Sequence, residues 1–327
     1  MYNLLRSTSL AALALAAAGP ARADVPLPVA ELTVAQQAAL SGMSYLSPAN
    51  QAFRMAAAVK VSAYNKGSPV QAVQRKSADS AAVYAGLPAT VSPPLLPTLP
   101  AGSSLLDFIG IGDHAQAWAT MTAEGVPHLW ARGYGQFTVD ATASWTTALT
   151  VPAGGSRELV LRFVIPPATV SGDTEQQSIA RWRSRLRADV LVNGFPAWST
   201  EAMRLTLDPK VQGNSLAQTL VLQQFGSPLA FVTDDEDASA ANDSNAGSVN
   251  TASAKRTVHL SLGRFNAGTV VDLAMVLRGS ALTAPELTGG TDHRCDYVSA
   301  QARWFCSRGS LSVTGVAGDA PRIYLLP

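Results

Sequence analysis

Charge is scarce in this chain, and the scarcity limits the kinds of protein it can be. Only 14% of its 327 residues are charged, whereas 47% are hydrophobic, and the formal net charge is +1. Disordered chains combine low hydrophobicity with high net charge, so this composition predicts a folded protein with a large core. A nucleic-acid-binding domain would normally be strongly basic, so we expect no nucleic acid as a partner.

Side chains and motifs that mark metal centres and enzymes are also rare. The chain has only two cysteines and four histidines, and a metal site would need more of these ligands close together. The nucleophile-elbow motif G-x-S-x-G, the metalloprotease motif H-E-x-x-H and the motif S-x-x-K are all absent. The sequence therefore favours a protein without catalytic activity and without a cofactor over an enzyme.

One apolar run indicates targeting. Residues 10–19, LAALALAAAG, follow Arg6 and precede residues 21–23, ARA, which is the pattern of a secretory signal with an A-x-A cleavage site. The run is too short for a membrane anchor, which needs about 20 apolar residues. No later segment is long enough to cross a membrane. We therefore predict a signal peptide over residues 1–23 and a secreted or periplasmic protein.

An exported chain meets an oxidising compartment, in which cysteines tend to pair. Cys295 and Cys306 are the two cysteines of the sequence, so we predict a disulfide between them. On the chain-entropy model, a bridge that closes so short a loop contributes about 3 kcal/mol to stability.

Strand patterns dominate from residue 105 onward. In residues 145–165, WTTALTVPAGGSRELVLRFVI, two apolar runs flank a Pro-Ala-Gly-Gly turn, and the second run alternates with the period of a half-buried strand. Glu158 and Arg162 lie on its polar face. Its apolar face consists of Leu159, Leu161, Phe163 and Ile165.

Further strand signals repeat at the spacing typical of β-sandwiches. Asn193-Gly194 is a strong hairpin signal, and residues 257–265, TVHLSLGRF, alternate so that His259 lies opposite the apolar face. About ten to twelve strands without a helical period between them exclude a βαβ architecture. We therefore predict an all-β fold, an antiparallel two-sheet sandwich with a jelly-roll-like order, over residues 105–327.

The N-terminal part differs in composition. Residues 24–85 are rich in Ala, Gln and Ser. Thr33 is a good cap for a short helix, and Ser47-Pro48 before an Ala-rich run is typical of another helix start. We therefore predict a short helical arm over residues 24–85, which either mediates docking or packs on the sandwich. Five prolines in residues 86–104 predict a linker or extended strap.

Residues 233–254 are small and polar, with acids at their start, and we predict a long loop there. Asp234, Asp235 and Asp237 are clustered oxygen ligands of the kind that Ca²⁺ prefers, so a structural calcium ion is one interpretation. Their spacing does not match an EF-hand, and the alternative is a solvated acidic loop.

Four arginines alternate with other residues before the Asn-Gly turn, namely Arg181, Arg183, Arg185 and Arg187. In a strand their guanidinium groups would project from one face about 6.6 Å apart, as a row that can bind carboxylates or phosphates. The alternative is a structural row neutralised by acids on neighbouring strands. Trp198, at a hairpin tip, is the best candidate for a platform on which a sugar ring stacks, and its alternative is packing in the core.

One cluster permits an enzymatic alternative. His293, Arg294, Tyr297 and Arg303 lie around the two cysteines. In a polysaccharide lyase an arginine neutralises the carboxylate of a uronic acid, and a tyrosine acts as acid or base in the elimination. The same residue types are common around disulfide loops without any chemistry.

Three segments carry a resemblance to a group of known proteins. They are WTTALTVPAGGSRELVLRFVIP, RLRADVLVNG and HLSLGRFNAGTVVDLAMVL, at residues 145–166, 185–194 and 259–277. In strand rhythm over residues 105–316, the chain resembles a loose group of exported bacterial β-sandwich proteins of uncharacterised function. Many of these carry a C-terminal sorting anchor, whereas this sequence ends in APRIYLLP. The resemblance implies a jelly-roll-like fold and an extracytoplasmic location, and it implies no catalytic residue.

Together these features predict a secreted or periplasmic protein that binds rather than catalyses. The expected partner is a glycan or another anionic polymer, contacted by the arginine row and Trp198, and the mature chain is expected to have no transmembrane segment. A structural component of the envelope or matrix is one alternative. A polysaccharide lyase or hydrolase is the other.

Overall fold

The computed structural model describes the chain at residues 29–65, 68–78, 81–87, 114–134, 137–174, 182–212, 215–237, 247–283, 297–298, 303–304 and 307–327. Within these ranges the chain is antiparallel β structure with one short helix, α1 (Val34–Ala39). The prediction of an all-β, antiparallel fold is therefore confirmed.

The strands of the described residues are, in chain order, β1 (Ala30–Glu31), β2 (Arg54–Asn65), β3 (Ser68–Ala78), β4 (Ala81–Leu87), β5 (His114–Met121), β6 (Pro127–Tyr134), β7 (Phe137–Thr150), β8 (Arg157–Ile165), β9 (Ala168–Thr174), β10 (Trp182–Val192), β11 (Phe195–Gln212), β12 (Ser215–Gly226), β13 (Phe231–Asp237), β14 (Gly247–Ser253), β15 (Arg256–Phe265), β16 (Val270–Thr283), β17 (Tyr297–Val298), β18 (Arg303–Trp304), β19 (Ser307–Thr314) and β20 (Arg322–Leu326).

These strands form three main sheets. Sheet 1 has the order β12-β11-β10-β16-β7-β2-β3, and sheet 2 has the order β13-β14-β9-β19-β6-β5-β4. Sheet 3 is smaller and has the order β1-β15-β8-β20. β17 and β18 pair only with each other within the described residues.

Sheet 1 forms one layer, and sheets 2 and 3 together form the other. β8 of sheet 3 leads into β9 of sheet 2 across Pro166 and Pro167, and β14 leads into β15 beside them. Proline has no N–H to donate to a ladder, so the double proline divides this long strand between two sheets. Strands β2, β7, β10 and β16 pack against β5, β6, β9 and β19. The fold is thus a two-layered sandwich, and the jelly-roll-like strand order stays a prediction.

Alternation along the strands builds one shared core. In β7 every second residue from Phe137 to Leu149 is buried, and Trp145 packs edge-on against Phe53 at 5.2 Å between ring centroids. The predicted apolar face of β8 is buried as expected, with no residue more than 1% exposed. Because side chains from all three sheets join a single cluster, the layers cannot separate without exposing much of it.

The predicted helix after Ser47-Pro48 is wrong. These residues form a single turn, in which Asn50 N and Gln51 N donate to Ser47 O at 3.0 and 2.9 Å, and the chain then enters β2. Alanine has the highest helix propensity, which is why the composition indicated a helix. Burial of one face decides in favour of the strand, since every second residue packs into the core. The buried residues are Met55, Ala57, Val59 and Val61.

The N-terminal segment is part of the sandwich rather than a separate helical arm. β2 and β3 extend sheet 1 beside β7, and β4 ends sheet 2 beside β5. Of the predicted arm, α1 is the one helix in the described residues, and Thr33 caps it as expected in a reciprocal pair with Gln36. No helix in the described part of the chain has the length and apolar character needed to cross a membrane.

Residues 233–254 do not form one long loop. β13 and β14 pair antiparallel within this segment, and β14 also pairs with β9. Their small polar residues have low strand propensity, but β14 is held by neighbours on both sides. The predicted signal peptide, residues 88–104 of the proline-rich segment, and the predicted disulfide between Cys295 and Cys306 lie outside the described residues.

Candidate anion-binding pocket

The structure places Arg183, Arg185 and Arg187 together on the outer face of β10, in sheet 1. The residues between them are buried, as the predicted alternation requires. Arg181 lies outside the described residues. The row therefore lies on the broad outer surface of the sandwich. The side chains around it, including those of β11 and β16, determine how far its positive charge is neutralised.

Acidic side chains already neutralise most of this row. Arg185 donates to Glu201 Oε2 at 2.5 Å, and Arg187 Nε donates to both oxygens of Asp189 at 2.9 and 3.0 Å. Asp189 also pairs with Arg278 of β16, which lies opposite Arg187 in register. The hydrogen bond with Asp189 raises the pKa of Arg187. For Arg185 and Arg187 these contacts match the structural alternative that the sequence left open, whereas Arg183 forms no ion pair among the described residues.

Replacing Asp189 with alanine is expected to destabilise the protein by about 2 kcal/mol, because Arg187 and Arg278 would then face each other without their shared, buried acid. Arg187→Ala removes a side chain that is 39% exposed, so we expect it to cost less than about 1 kcal/mol. Urea unfolding of both variants measures the difference. Equal losses of unfolding free energy in the two variants would show that the Asp189 carboxylate does not stabilise the paired arginines.

Trp198 is fixed by its neighbours. Its ring packs edge-on against Phe163 with centroids 5.2 Å apart, and the guanidinium of Arg256 lies 5.8 Å from its centroid. Its indole Nε1 donates to Glu31 Oε1 at 2.8 Å. The side chain is partly buried against the core, which matches packing rather than a free stacking platform.

The remaining predicted sites fall on incompletely described parts of the chain. Asp234, Asp235 and Asp237 lie in β13, and Tyr297 and Arg303 lie in β17 and β18, but the side chains of all five are outside the described set. Within that set, no group of three or more His, Cys, Asp or Glu residues is placed to hold a metal ion. The calcium and lyase interpretations stay predictions.

The outer face of sheet 3 is partly covered by residues 32–46, a segment that we call the cover. At one end, Leu32 N donates to His259 O of β15 at 2.9 Å. At the other end, Leu46 exchanges two backbone hydrogen bonds of 2.8 Å with Ile323 of β20. The cover, with α1 in it, is therefore tied to strands on both sides of β8.

A pocket of about 470 Å³ lies between the cover and the sheet and opens to solvent. Beside it, Leu40 of the cover packs on Val160 and Tyr324, and this apolar contact holds the cover down. The residues that line the pocket are Gln37, Leu40, Ser41, Gly42, Met43, Tyr45, Arg162, His259, Arg322 and Tyr324. Its volume is in the range of small-molecule sites.

Three basic residues form a row in this pocket. Arg162 of β8 lies directly opposite His259 of β15 on one side and Arg322 of β20 on the other. Like charges placed opposite each other on neighbouring strands destabilise a sheet. Elsewhere along the same strand pair, the register places Arg264 opposite Glu158 instead, which is the favourable arrangement. The row therefore lowers the stability of the sheet, and folding alone does not explain why it is present.

Neither Arg162 nor Arg322 forms an ion pair among the described residues. Arg162 donates to Ala320 O at 3.3 Å, and the guanidinium of Arg322 lies 4.6 Å from the centroid of the Tyr45 ring. Burial and the charge of Arg322 lower the pKa of Arg162. The pocket thus concentrates positive charge that the described protein groups leave largely unbalanced.

Asp319 balances this charge only in part. It acts on Arg162 electrostatically, but its carboxylate is buried and already accepts a hydrogen bond from Lys255 Nζ. One acid therefore faces two cations here, Lys255 and Arg162, and Arg322 adds a third. In the β10 row, by contrast, Arg185 and Arg187 each have a bonded carboxylate.

His259 is the member of the row whose charge can change. Its Nδ1 is buried and has no hydrogen-bond partner among the described residues. Burial, together with the charges of Arg162 and Arg322, lowers the pKa of His259 below its ordinary value of 6.5. The imidazole therefore holds a proton less readily than a free histidine does, and a bound anion would favour its protonated form.

Sequence reasoning placed Arg162 and His259 on the polar faces of their strands, as observed, but did not connect them, and it did not single out Arg322. The three residues meet only through the register of β8 with its two neighbours. The sequence shows only a basic residue at an outward position of each strand. Many solvent-facing strands have such a residue, so this feature does not identify the row.

Comparisons of the chain with protein-family models and with curated proteins find no match. The resemblance to exported sandwich proteins stays a prediction.

Proposed function

We propose that this protein is a non-enzymatic binding protein that captures an anionic group in the pocket between the cover and sheet 3. The observation that carries the proposal is the register of Arg162 with Arg322 and His259. A sheet that places two arginines opposite each other, without an ion-pair partner among the described residues, is stabilised when an anion binds between them.

The contrast with the β10 row supports this choice of site. Arg187 and Arg278 also lie opposite each other, but they share the carboxylate of Asp189. An anion that approached that row would compete with bonds already made. In the pocket an anion supplies the missing partner, so the gain on binding is larger there.

The location and partner follow the sequence expectations. An exported protein, as the N-terminal pattern of residues 1–23 predicts, meets glycans and anionic polymers outside the cytoplasm. A pocket open to solvent suits an anionic group at the end of such a molecule or as its substituent. The partner we propose is an anionic glycan, bound through its charged group.

The experiment that tests the function uses inorganic sulfate as the probe. Calorimetric titration of the full chain at low ionic strength, where screening is weak, is expected to detect binding. Arg322→Gln should weaken this binding by about tenfold, because a charge-assisted hydrogen bond is lost. Arg264→Gln, which alters an exposed arginine of β15 outside the pocket, is the control and should leave it unchanged. Equal losses in both variants would reject the pocket as the site.

Sulfate affinity is expected to rise as the pH falls from about 8 to about 5, where histidine titrates. The groups around His259 are Arg162, Arg322, Tyr45 and Tyr324, and the two arginines and burial lower its pKa in the free protein. A bound anion raises that pKa, so binding takes up a proton, and affinity is lost as pH rises through the pKa of the bound state.

The control for this pH dependence is His259→Gln, which removes the titrating group. Sulfate itself stays fully ionised over this range, so the wild-type slope reports the protein. Titrations at several pH values should give a slope for the wild type and a flat profile for the variant. A wild-type affinity that does not change with pH would exclude His259 from the site.

A further inference from the structure

We infer that the group held in the pocket is a tetrahedral oxyanion ester, a phosphate or sulfate monoester carried on an organic body, rather than a carboxylate. This inference rests on the proposed function and specifies its ligand. It follows from three features of the pocket: the number of donors, the unbalanced charge, and the space and apolar rim beside them.

The donors come from three neighbouring strands. Arg322, Arg162 and His259 occupy one register row across β20, β8 and β15, which spans about 10 Å from the first backbone to the third. The two oxygens of a carboxylate can serve two guanidinium groups at once, as those of Asp189 do in the β10 row. A third donor, here His259, would then have no oxygen of its own. A tetrahedral ester presents three terminal oxygens, one for each side chain.

The positive charge of the pocket favours a phosphate monoester in particular. Arg162 and Arg322 bring two positive charges without an ion pair among the described residues, and the nearby Asp319 is bonded to Lys255. A carboxylate carries a single negative charge. A phosphate monoester carries about −1.5 to −2 at pH 7, so it comes closer to neutralising both guanidinium groups. A sulfate monoester carries a single negative charge, as a carboxylate does, so it is favoured by its number of oxygens alone. A protonated His259 pairs with the remaining oxygen.

The pocket is larger than the anion alone requires. Its volume is about 470 Å³, and on the cover side Met43 and Tyr45 are 42% and 38% exposed. Exposed apolar side chains at the mouth of a charged pocket favour contact with the organic part of a ligand. The ester's body, such as a sugar ring, would lie against these two residues while its anionic group lies over the row.

The test compares four probes by calorimetric titration of the full chain at low ionic strength: glucose 6-phosphate, glucose 6-sulfate, glucuronate and inorganic sulfate. Both esters are expected to bind at least about tenfold more tightly than glucuronate, because an additional charge-assisted bond is made. Glucose 6-phosphate, whose charge is close to that of inorganic sulfate, is also expected to bind more tightly than inorganic sulfate, because its sugar ring would contact Met43 and Tyr45. Glucose 6-phosphate is expected to bind more tightly than glucose 6-sulfate, because it carries more negative charge. The reverse order would show that the number of oxygens, rather than the charge, selects the ligand.

Arg322→Lys is the decisive variant, because it keeps the charge and removes the planar donor pair. It is expected to weaken ester binding by about tenfold, with circular dichroism and the melting temperature showing that the fold is kept. Met43→Ser tests the rim, and we expect it to weaken the esters while leaving inorganic sulfate unchanged.

Each contrary result has a distinct meaning. Glucuronate binding as tightly as the esters would overturn the tetrahedral ligand while leaving an anion pocket. Inorganic sulfate binding as tightly as glucose 6-phosphate would contradict a contact with the organic part of the ligand. Binding of no probe, or binding that neither Arg322→Lys nor Arg322→Gln weakens, would overturn the proposed function itself.

Discussion

Removing both pocket arginines, in the variant Arg162→Gln/Arg322→Gln, is expected to weaken glucose 6-sulfate binding by about 100-fold or more. Each guanidinium donates charge-assisted hydrogen bonds worth about 1.5–3 kcal/mol, and 1.4 kcal/mol is a tenfold change in affinity. The two arginines lie opposite each other on adjacent strands and would both donate to one anion in the proposed site, so the loss for the pair is expected to be at least additive.

The same variant is expected to keep its stability within about 1 kcal/mol of the wild type. Removing two like charges that lie opposite each other relieves about 0.2–1 kcal/mol, and losing the contact of Arg322 with the Tyr45 ring costs about 0.5–1 kcal/mol. Urea unfolding measures this balance. A large loss of stability would mean that the arginines serve the fold, and the binding result would then not report a site.

The largest effect on stability is expected from Trp145→Ala, at about 4 kcal/mol. Trp145 is 1% exposed, lies in β7 between β2 and β16, and packs edge-on against Phe53. Truncating a buried aromatic residue loses its transfer free energy and leaves a cavity, which together cost about 3–5 kcal/mol. Urea unfolding monitored by far-ultraviolet circular dichroism measures the loss.

Trp198→Ala is the matched control for this prediction. Trp198 is only partly buried, although it contacts Phe163 and donates to Glu31, so we expect a cost of about 1–2 kcal/mol. If Trp198→Ala lowered the free energy of unfolding as much as Trp145→Ala, the main core would not lie between the two layers. Unchanged binding of glucose 6-sulfate in Trp198→Ala is expected as well, because the pocket lies on the opposite face of sheet 3.

Periodicity predicted the sandwich wherever side chains alternate strictly. The apolar face of β8 and the inward residues of β15 were assigned from the sequence, and both are buried. The Asn193-Gly194 turn joins β10 and β11 as expected, with Asn193 at φ 51°. These elements are local, so short windows of sequence contain the information that forms them.

Local signals failed where a neighbouring strand decides the outcome. The Ala-rich run after Ser47-Pro48 has a high helix propensity, yet β2 pairs with β3 on one side and β7 on the other. The segment around β14 is small and polar, yet it pairs with β9 and β13. In both cases tertiary burial and ladder hydrogen bonds outweigh intrinsic preference, which differs by at most about 1 kcal/mol per residue.

The candidate site could be predicted only in part, for the same reason. The row on β10 is visible in sequence because its arginines are two residues apart, but Arg185 and Arg187 are already bonded to carboxylates. The row of Arg162, His259 and Arg322 is invisible in sequence because its members lie on three strands far apart in the chain. Register between distant strands and the position of the cover create it, and no short window of sequence encodes either.

The most direct test is to follow the arginine side-chain Nε–Hε signals by NMR while glucose 6-sulfate is added to the full chain. The signals of Arg162 and Arg322 are predicted to shift together and to saturate with the calorimetric affinity. The signals of Arg185 and Arg187, whose carboxylates are already in place, are predicted to stay where they are. Shifts confined to the β10 arginines, with none in the pocket, would contradict the assignment of the site.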